Sequence, residues 1–396
     1  MPQLDSKLSE VVNQNVNAVG PSGIREFDQE ISSIPGIVKL TIGEPDFDVP
    51  EHAKEAAIKS IEENKSHYSA QKGIAELRAG ISNYLKQRTG VYYDPASEII
   101  VTVGATEAIF SALTSILNPG DKVIVPTPAF ALYFPIIKVA GAELITIDTS
   151  DDGFVLTPEK LQKVLDENGD SVKAIILNYP SNPTGVEYSE AQLKALADII
   201  SQHKMYVLAD EIYSELTYGV EHHSIAAMIP GQTILINGLS KSHAMTGYRI
   251  GYIAAPKDFV TNASKMHAFV VTAPSNPAQY AAAEALNNGL DDPIPMRAAY
   301  HKRRDYIADR LEKMGMHIVM PQGAFYIFFA KIPDTIDETS VEFATELAKN
   351  AKVGVTPGSA FGPGGEGWIR MSYAASDDDI KLAMDRMNSY LLELTK

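Results

Sequence analysis

Residues Thr233 to Arg249 read TILINGLSKSHAMTGYR, an apolar run followed by a segment rich in small and polar residues. The apolar run at Thr233–Ile236 predicts a buried strand, because short β-branched runs bounded by turn-forming residues favour strands. Lys241 follows this strand among Gly, Ser and Ala rather than on a charged surface face, and Arg249 comes eight residues later. In open α/β sheets, ligands bind at the carboxyl ends of the strands. Lys241 and Arg249 are therefore predicted to face a binding crevice.

Six further apolar runs have the same character, and segments with helical periodicity, such as Glu107–Leu117 and Ser189–His203, separate most of them. The runs are Glu98–Val103, Lys122–Val125, Glu143–Ile147, Lys173–Leu177, Met205–Leu208 and Gly251–Ala254. Strands that alternate with helices are typical of parallel βαβ units, whose sheet is covered on both faces. The sequence therefore predicts an α/β fold with a large domain over residues 46–290 and a mostly parallel sheet.

A Pro- and Asp-rich patch at Asp291–Pro295 predicts a domain boundary, and an α+β pattern follows it. The predicted elements there are a helix at Met296–Met314, a strand at Ala324–Phe329, a helix at Ser340–Asn350, a Gly-rich loop at Gly354–Gly367, a strand at Trp368–Tyr373 and a helix from about Ser376. Residues 291–396 are predicted to form a smaller α+β domain. The Gly-rich loop is either a flexible connection or a part of domain closure. Residues 1–45 show no strand of their own and are assigned to an N-terminal arm and part of the small domain.

Composition excludes several classes of protein. The chain has 396 residues, with 34 basic and 50 acidic side chains and a net charge of −16. This charge disfavours nucleic acid as a partner, because affinity for phosphate backbones rests largely on Lys and Arg. The absence of cysteine excludes disulfides, zinc fingers and thiol catalysis. Neither a signal peptide nor an apolar run long enough to span a membrane is visible, so a cytoplasmic location without membrane contact is expected.

Polar groups follow three more of the predicted strands. Ala105 and Thr106 lie in a turn that leads into a helix, whose free N–H groups suit a phosphate. Asn182 lies in a Pro-rich loop, and Asp210 directly follows an apolar run with Tyr213 close behind it. Each feature alone also fits an ordinary role, such as a βα turn or a helix N-cap. Together with Lys241 they match the needs of one cofactor, pyridoxal 5'-phosphate.

The charges of that cofactor assign a role to each residue. Lys241 is the predicted amine that reacts with its aldehyde and later moves protons, and Asp210 pairs with the ring nitrogen. Tyr213 and Asn182 donate to its phenolate oxygen. The phosphate is assigned to four residues, which are Ala105, Thr106, Ser240 and Arg249. Phe130 either covers the flat face of the ring or serves as a core aromatic.

Six blocks, in this order along the chain, resemble those of the class I/II, fold-type I pyridoxal-phosphate aminotransferases. They are Thr41–Phe47 (TIGEPDF), Tyr68 with Gly73 and Leu77-Arg78, Asn182–Gly185 (NPTG), Asp210–Tyr213 (DEIY), Ser240–Ser242 with Gly247–Arg249, and Arg370–Tyr373 (RMSY). The similarity covers nearly the whole chain and is greatest to the bacterial group of aromatic and N-acetyl-diaminopimelate aminotransferases. The resemblance implies a ping-pong transfer of an amino group between an amino acid and a 2-oxo acid.

The resemblance also implies substrate contacts and an assembly. Arg370 would bind the substrate α-carboxylate, with the Gly43 backbone and Asn182 assisting. Tyr68 would reach the cofactor phosphate of the neighbouring subunit, which implies a homodimer with shared active sites.

The identity of the amino donor depends on the pocket around its side chain. Candidate lining residues are Ile24, Phe130, Tyr133 and Phe325, and this apolar set favours aromatic or broadly hydrophobic amino acids. Some relatives that favour aspartate have a Lys at the position of Thr106. We expect 2-oxoglutarate as the acceptor. The alternatives are an N-acetyl-LL-2,6-diaminopimelate aminotransferase and a C–S β-lyase on the same fold. A regulator without enzymatic activity is disfavoured, because residues 1–45 contain no basic cluster for binding DNA.

Overall fold

The computed structural model describes residues 2–8, 11–330 and 338–394. Strands are labelled in chain order. They are β1 (Val38–Lys39), β2 (Ile99–Val103), β3 (Lys122–Thr127), β4 (Glu143–Asp148), β5 (Val172–Asn178), β6 (Tyr206–Asp210), β7 (Thr233–Gly238), β8 (Ile250–Ala254), β9 (Ile318–Val319), β10 (Tyr326–Ala330), β11 (Val353–Gly354), β12 (Thr356–Pro357) and β13 (Trp368–Ser372).

The helices are labelled in the same way. They are α1 (Gln14–Asn17), α2 (Gly23–Ile31), α3 (Glu51–Glu62), α4 (Ala75–Thr89), α5 (Gly104–Ile116), α6 (Tyr133–Val139), α7 (Pro158–Asn168), α8 (Glu190–Ile200), α9 (Leu239–Ser242), α10 (Lys257–Val270), α11 (Asn276–Asn288), α12 (Pro293–Lys313), α13 (Ser340–Glu346) and α14 (Asp377–Leu394). A π-helical turn, Leu347–Ala351, extends α13.

A seven-stranded sheet forms the centre of the large unit, in the order β2-β8-β7-β6-β5-β3-β4. Strand β8 is antiparallel to both of its neighbours, and the other pairs are parallel. All seven predicted strands are present, and no strand end differs from its predicted position by more than two residues. Apolar residues fill both faces of the sheet, because alternate side chains of a buried strand point to opposite sides. The predicted α/β class and the mostly parallel sheet are confirmed.

A second, antiparallel sheet has the order β12-β13-β10-β9. It shares one apolar core with α12, α13 and α14. Strand β13 carries Arg370, which pairs in register with Phe328 of β10. The boundaries at residues 45/46 and 290/291 stay predictions.

Two segments outside the large sheet contribute short strands to the smaller unit. The first 45 residues do contain a strand, since β1 pairs in parallel with β11, and Leu40 is 1% exposed in the core beside α12 and α14. The Gly-rich segment at residues 354–367 is not simply a flexible connection. It contributes β11 and β12, a 3₁₀ turn at Gly358–Phe361 and the fully buried Phe361. Single-sequence patterns miss two-residue strands, because partners far away in the chain define them.

Within the described ranges, no helix is long and apolar enough to cross a membrane. In the same part of the chain, no group of three or more His, Asp or Glu side chains is arranged to hold a metal ion.

Candidate active site

The carboxyl ends of β5, β6 and β7 place the predicted polar groups side by side. Asn178 at the end of β5 pairs in register with Asp210 at the end of β6, and Asp210 pairs with Ile236 of β7. The chain passes from β7 directly into α9, which carries Lys241. Because parallel strands end at the same edge of the sheet, residues far apart in sequence meet at this crevice.

Lys241 points at the backbone of the segment that follows β1. Its Nζ donates a hydrogen bond to the Gly43 carbonyl oxygen at 2.7 Å. The ammonium also lies 5.5 Å from the centre of the Phe325 ring and 5.9 Å from that of Tyr213. Burial, together with the nearby charges of Arg249 and Arg370, lowers the pKa of Lys241 to about 8. The amine is therefore much easier to deprotonate than a surface lysine, as a nucleophile or proton acceptor requires.

Asp210 is a buried carboxylate with neutral hydrogen-bond partners. The Tyr133 hydroxyl donates to its Oδ2 at 2.6 Å, and the Ile212 amide donates to its Oδ1 at 3.3 Å. Burial raises the pKa of Asp210 to about 6, although both hydrogen bonds lower it. A buried carboxylate is costly unless a cation meets it. The environment of Asp210 therefore suits a ligand that presents a protonated nitrogen.

Tyr133 was expected to line the substrate pocket, and this placement was wrong. Its side chain is 1% exposed and its hydroxyl is bonded to Asp210, while Phe130 packs edge-on against its ring.

The substitution Tyr133→Phe is expected to raise the Kd of pyridoxal phosphate about tenfold, because a hydrogen bond that stabilises the ionised Asp210 is lost. Titrating the apoprotein and following cofactor absorbance measures this Kd.

Tyr206→Phe is the matched control, since Tyr206 begins the same strand, β6, four residues before Asp210. It packs on Phe259 and is expected to leave the Kd unchanged. Equal Kd values for both variants would rule out the role assigned to Tyr133.

Arg370 is buried, and one of its three guanidinium nitrogens has no hydrogen-bond partner in the described chain. It donates from Nη1 to Asn182 Oδ1 at 2.8 Å and from Nη2 to the Thr41 carbonyl and to Thr356 Oγ1. Its Nε is buried and has no hydrogen-bond partner among the residues that the structure describes. Buried donors are normally paired, so this arrangement suits an incoming anion such as a carboxylate.

Aromatic rings enclose the Arg370 guanidinium. Its carbon lies 4.5 Å from the ring centre of Tyr326 and 4.8 Å from that of Phe361. The Tyr326 hydroxyl is 2.9 Å from that of Tyr213 and also touches Gly43, where an added Cβ would collide with it. Gly43 and Tyr213, which both lie beside Lys241, thus also contact Tyr326, a residue that the sequence did not single out.

The start of α5 and Arg249 form a cradle at the end of β2. No side chain in the described chain caps α5, so the N–H groups near Ala105 and Thr106 remain available to a ligand. Arg249 packs so closely on Gly104 that a Cβ there would collide with the guanidinium. Arg249 donates from Nη1 to the Thr246 carbonyl at 3.0 Å, and its exposed side chain leaves other donors free. Ser240 is buried in α9, directly before Lys241.

Comparison with known proteins identifies the family. Residues 35–387 match the family model described as "Aminotransferase class I and II". The chain belongs to the class I and II aminotransferases. These enzymes use pyridoxal phosphate. The residues described above fit it, because they offer a lysine with a lowered pKa, a buried carboxylate and an uncapped helix start beside an arginine.

Individual relatives agree with the family. A probable N-acetyl-LL-diaminopimelate aminotransferase of Bacillus subtilis is 44% identical over 98% of this chain and 97% of its own. An aromatic-amino-acid aminotransferase 2 of Thermococcus litoralis is 38% identical, with 96% and 98% coverage. Among solved structures, the aspartate aminotransferase of Thermus thermophilus with maleate has a TM-score of 0.91 and 35% identity, covering 96% of this chain and 99% of that one.

Among the described residues of this aminotransferase, the hydrogen bonds and ring contacts of three predicted site residues involve neither Lys241 nor Arg370, so their roles stay predictions. The side chain of Tyr68 is 91% exposed. Phe130 is half-buried beside Tyr133, and Ile24 is half-buried against the apolar cluster that includes Phe361. Phe361 in turn lies against the Arg370 guanidinium.

His243, two residues after Lys241, has the contacts of a buried, hydrogen-bonded histidine. It is 2% exposed, and its ring nitrogens lie 2.8 Å from Ser242 Oγ and 3.0 Å from the Gly289 carbonyl oxygen. Burial lowers its pKa, so it is neutral near pH 7.

Proposed function

We propose that this aminotransferase uses pyridoxal phosphate to transfer the amino group of an aromatic or broadly hydrophobic amino acid to 2-oxoglutarate. The observation that carries the proposal is the buried Arg370 with its unpaired Nε, enclosed by two aromatic rings and joined through Asn182 to the end of the sheet that bears Asp210. A carboxylate held by Arg370 leaves the rest of an amino acid among apolar and aromatic side chains.

When bound, the cofactor supplies an electron-withdrawing ring that stabilises negative charge at the substrate α-carbon. Asp210 would keep the ring nitrogen protonated, and Tyr213 and Asn182 would donate to the phenolate oxygen. Asn182 can do so through Nδ2, because its Oδ1 accepts from Arg370. Ala105, Thr106, Ser240 and Arg249 would hold the phosphate.

Lys241 would move the proton. Its neutral Nζ would accept a proton from the substrate α-carbon and return it at the adjacent position. Attack of water at the α-carbon would then release the 2-oxo acid, and the amine would stay behind for the second half of the ping-pong cycle. A pKa of about 8 keeps an appreciable neutral fraction near pH 7. The hydrogen bond to the Gly43 carbonyl holds Nζ in the crevice.

The capture of cofactor by the apoprotein is expected to depend on pH. Only the neutral amine reacts with an aldehyde, and its fraction rises about tenfold per pH unit below the pKa of Lys241. The rate should therefore rise from pH 6.5 to about 8 and level off above it. Stopped-flow absorbance measures this rate. Pyridoxamine 5'-phosphate is the control, because it carries no aldehyde. If its binding rate rose equally steeply with pH, deprotonation of Lys241 would be excluded as the cause of the pH dependence.

The apolar surroundings of Arg370 support the preference for large apolar side chains. Phe361 belongs to a cluster with Phe154, Val186 and Phe328, and Ile24 packs on this cluster. Flat aromatic side chains bury well on such a surface. A solved aromatic aminotransferase of Pyrococcus horikoshii, with a TM-score of 0.88 and 38% identity, supports this choice.

A substrate panel with 2-oxoglutarate as acceptor, read out as glutamate formed, tests the proposal. We expect kcat/KM to be highest for phenylalanine, tyrosine or large aliphatic donors. The second candidate donor is N-acetyl-LL-2,6-diaminopimelate. It is supported by the 44% identity to the probable N-acetyl-LL-diaminopimelate aminotransferase of Bacillus subtilis. A higher kcat/KM for that donor would overturn the aromatic preference. Pyruvate released from cystathionine without an oxo acid would instead indicate a C–S β-lyase.

We also expect a homodimer in the cytoplasm. The side chain of Tyr68 is 91% exposed although the backbone around it is firmly held, since Asn276 donates to the Lys65 and His67 carbonyl oxygens at 2.7 Å. A fixed aromatic side chain that faces solvent is suited to a partner subunit. Light scattering on the holoenzyme tests the assembly, and a monomer that retains full activity would exclude shared sites.

A further inference from the structure

Outside the active site, His222 bridges two buried carboxylates. Its Nδ1 lies 3.1 Å from Glu187 Oε2, and its Nε2 lies 3.1 Å from Glu211 Oε2. The three side chains are 9%, 3% and 1% exposed. Both ring nitrogens are therefore used, and both face acceptors that cannot donate when ionised.

The bridge continues into further hydrogen bonds. Glu211 Oε1 accepts from the Tyr179 hydroxyl at 3.0 Å and from Ser224 Oγ at 2.6 Å. The Tyr179 hydroxyl accepts from the Ile225 amide at 3.0 Å, and its ring stacks on that of His222 with centres 5.5 Å apart. Every polar group in this buried network has a partner, which makes its geometry specific.

The bridge joins two segments that carry active-site residues. Glu211 directly follows Asp210 and lies two residues before Tyr213. Glu187 ends the loop that contains Asn182, the partner of Arg370. His222 thus connects the segment assigned to the cofactor ring with the loop assigned to the substrate carboxylate, although it touches neither ligand site itself.

Charge explains why a histidine occupies this position. Interaction with Glu187 and Glu211 outweighs burial and raises the pKa of His222 to about 10. A doubly protonated ring donates to both carboxylates at once, whereas a neutral ring donates to only one. Two buried carboxylates without this cation would be left uncompensated.

We propose that His222 is a positioning residue that locks the Asn182 loop to the Asp210–Tyr213 segment, and so holds the substrate and cofactor ends of the site in one geometry. This inference rests on the proposed function. Its first consequence can be measured without turnover, because the loop must lose order in the apoprotein when the bridge is removed.

The experiment compares wild type with His222→Gln. An amide can donate to one of the two carboxylates, so the bridge is cut on one side. We expect hydrogen exchange of the backbone amides in residues 178–188 of the apoprotein to become about tenfold faster. In the holoenzyme, we expect KM for the amino donor to rise about tenfold with a smaller change in kcat, because Asn182 no longer holds Arg370 in place.

Two further variants keep the test decisive. His223→Gln changes the neighbouring histidine, which makes no hydrogen bond to Glu187 or Glu211, and should leave both readouts unchanged. Glu187→Gln keeps an acceptor for His222 but removes one buried charge, so it should fold even where His222→Gln does not. It should raise KM less than His222→Gln.

The double variant Glu187→Gln/His222→Gln can restore a neutral amide bridge and should recover KM to within about threefold of wild type.

Two results would overturn the proposal. One is a lower melting temperature with wild-type exchange in residues 178–188 and wild-type KM, which would make His222 merely stabilising. The other is an equal rise in KM for His223→Gln. Failure of the proposed function looks different, because the wild-type holoenzyme would then lack transaminase activity while the exchange experiment would still report on the bridge.

Discussion

Replacing Lys241 with alanine is expected to lower transaminase turnover by about 10⁴-fold or more. In the proposed mechanism, Lys241 supplies both the amine that reacts with the cofactor and the group that moves the substrate proton, and general acid–base catalysis alone contributes about 10² to 10⁴. No other lysine lies within the described contacts of Gly43, Tyr213 and Phe325 that surround Nζ. Glutamate formation from the best donor measures the turnover.

Lys265→Ala is the matched control, because Lys265 is exposed on α10 and bonds only to Asn262 in the described chain. It should retain full turnover. Small primary amines added to Lys241→Ala should restore part of the activity, since they can enter the space left by the side chain. Full turnover by Lys241→Ala without added amine would refute the mechanism.

Replacing Arg370 with lysine is expected to lower kcat/KM for the amino donor by about 10² to 10³, mostly through KM. Lysine keeps the charge but loses the planar fork, so the bonds from Nη1 to Asn182 and from Nη2 to Thr356 cannot both form. The lost contacts include a buried, charged hydrogen-bond network, whose disruption commonly costs about 3 to 5 kcal/mol. Steady-state kinetics with the preferred donor measures the loss.

The affinity for pyridoxal phosphate separates recognition by Arg370 from a general structural role. It should change little in Arg370→Lys, because the residues assigned to the phosphate lie at α5 and α9 rather than on β13. Arg386→Lys is the control, since this half-buried arginine donates only to the Gly36 and Lys352 carbonyls in the described chain. A loss of cofactor affinity as large as the loss in kcat/KM would contradict substrate recognition by Arg370.

The sequence located the strand-end residues because one topological rule places them together. Asp210 and Lys241 each follow an apolar run, and parallel strands end at the same edge of a sheet. The seven strands of the large sheet were predictable for the same reason, since continuous apolar runs between helical segments leave few alternatives. The role of Arg370 came instead from family resemblance, because no local pattern distinguishes it from other strand arginines.

The site contacts that the sequence did not predict join residues that are far apart in the chain. Tyr133 and Asp210 are 77 positions apart, and Tyr213 and Tyr326 are 113 apart. A tyrosine in an apolar stretch shows nothing about where its hydroxyl will point, so Tyr133 was placed in the substrate pocket. His222 was missed for the same reason, because Glu187 lies 35 residues before it. Such pairs become visible in one sequence only after the fold is known.

The antiparallel strand β8 sets a limit on how this protein can be altered. Chain residues 239–249 connect β7 to β8 as one short return, so Lys241 and Arg249 are fixed at opposite ends of the same connection. A rigid planar cofactor needs the residues that hold its aldehyde and its phosphate at a constant separation. The length of the connection between β7 and β8 sets the separation of Lys241 and Arg249. Insertions or deletions between residues 243 and 247 should therefore be far less tolerated than similar changes in exposed turns, even though none of those five residues is assigned to the ligand.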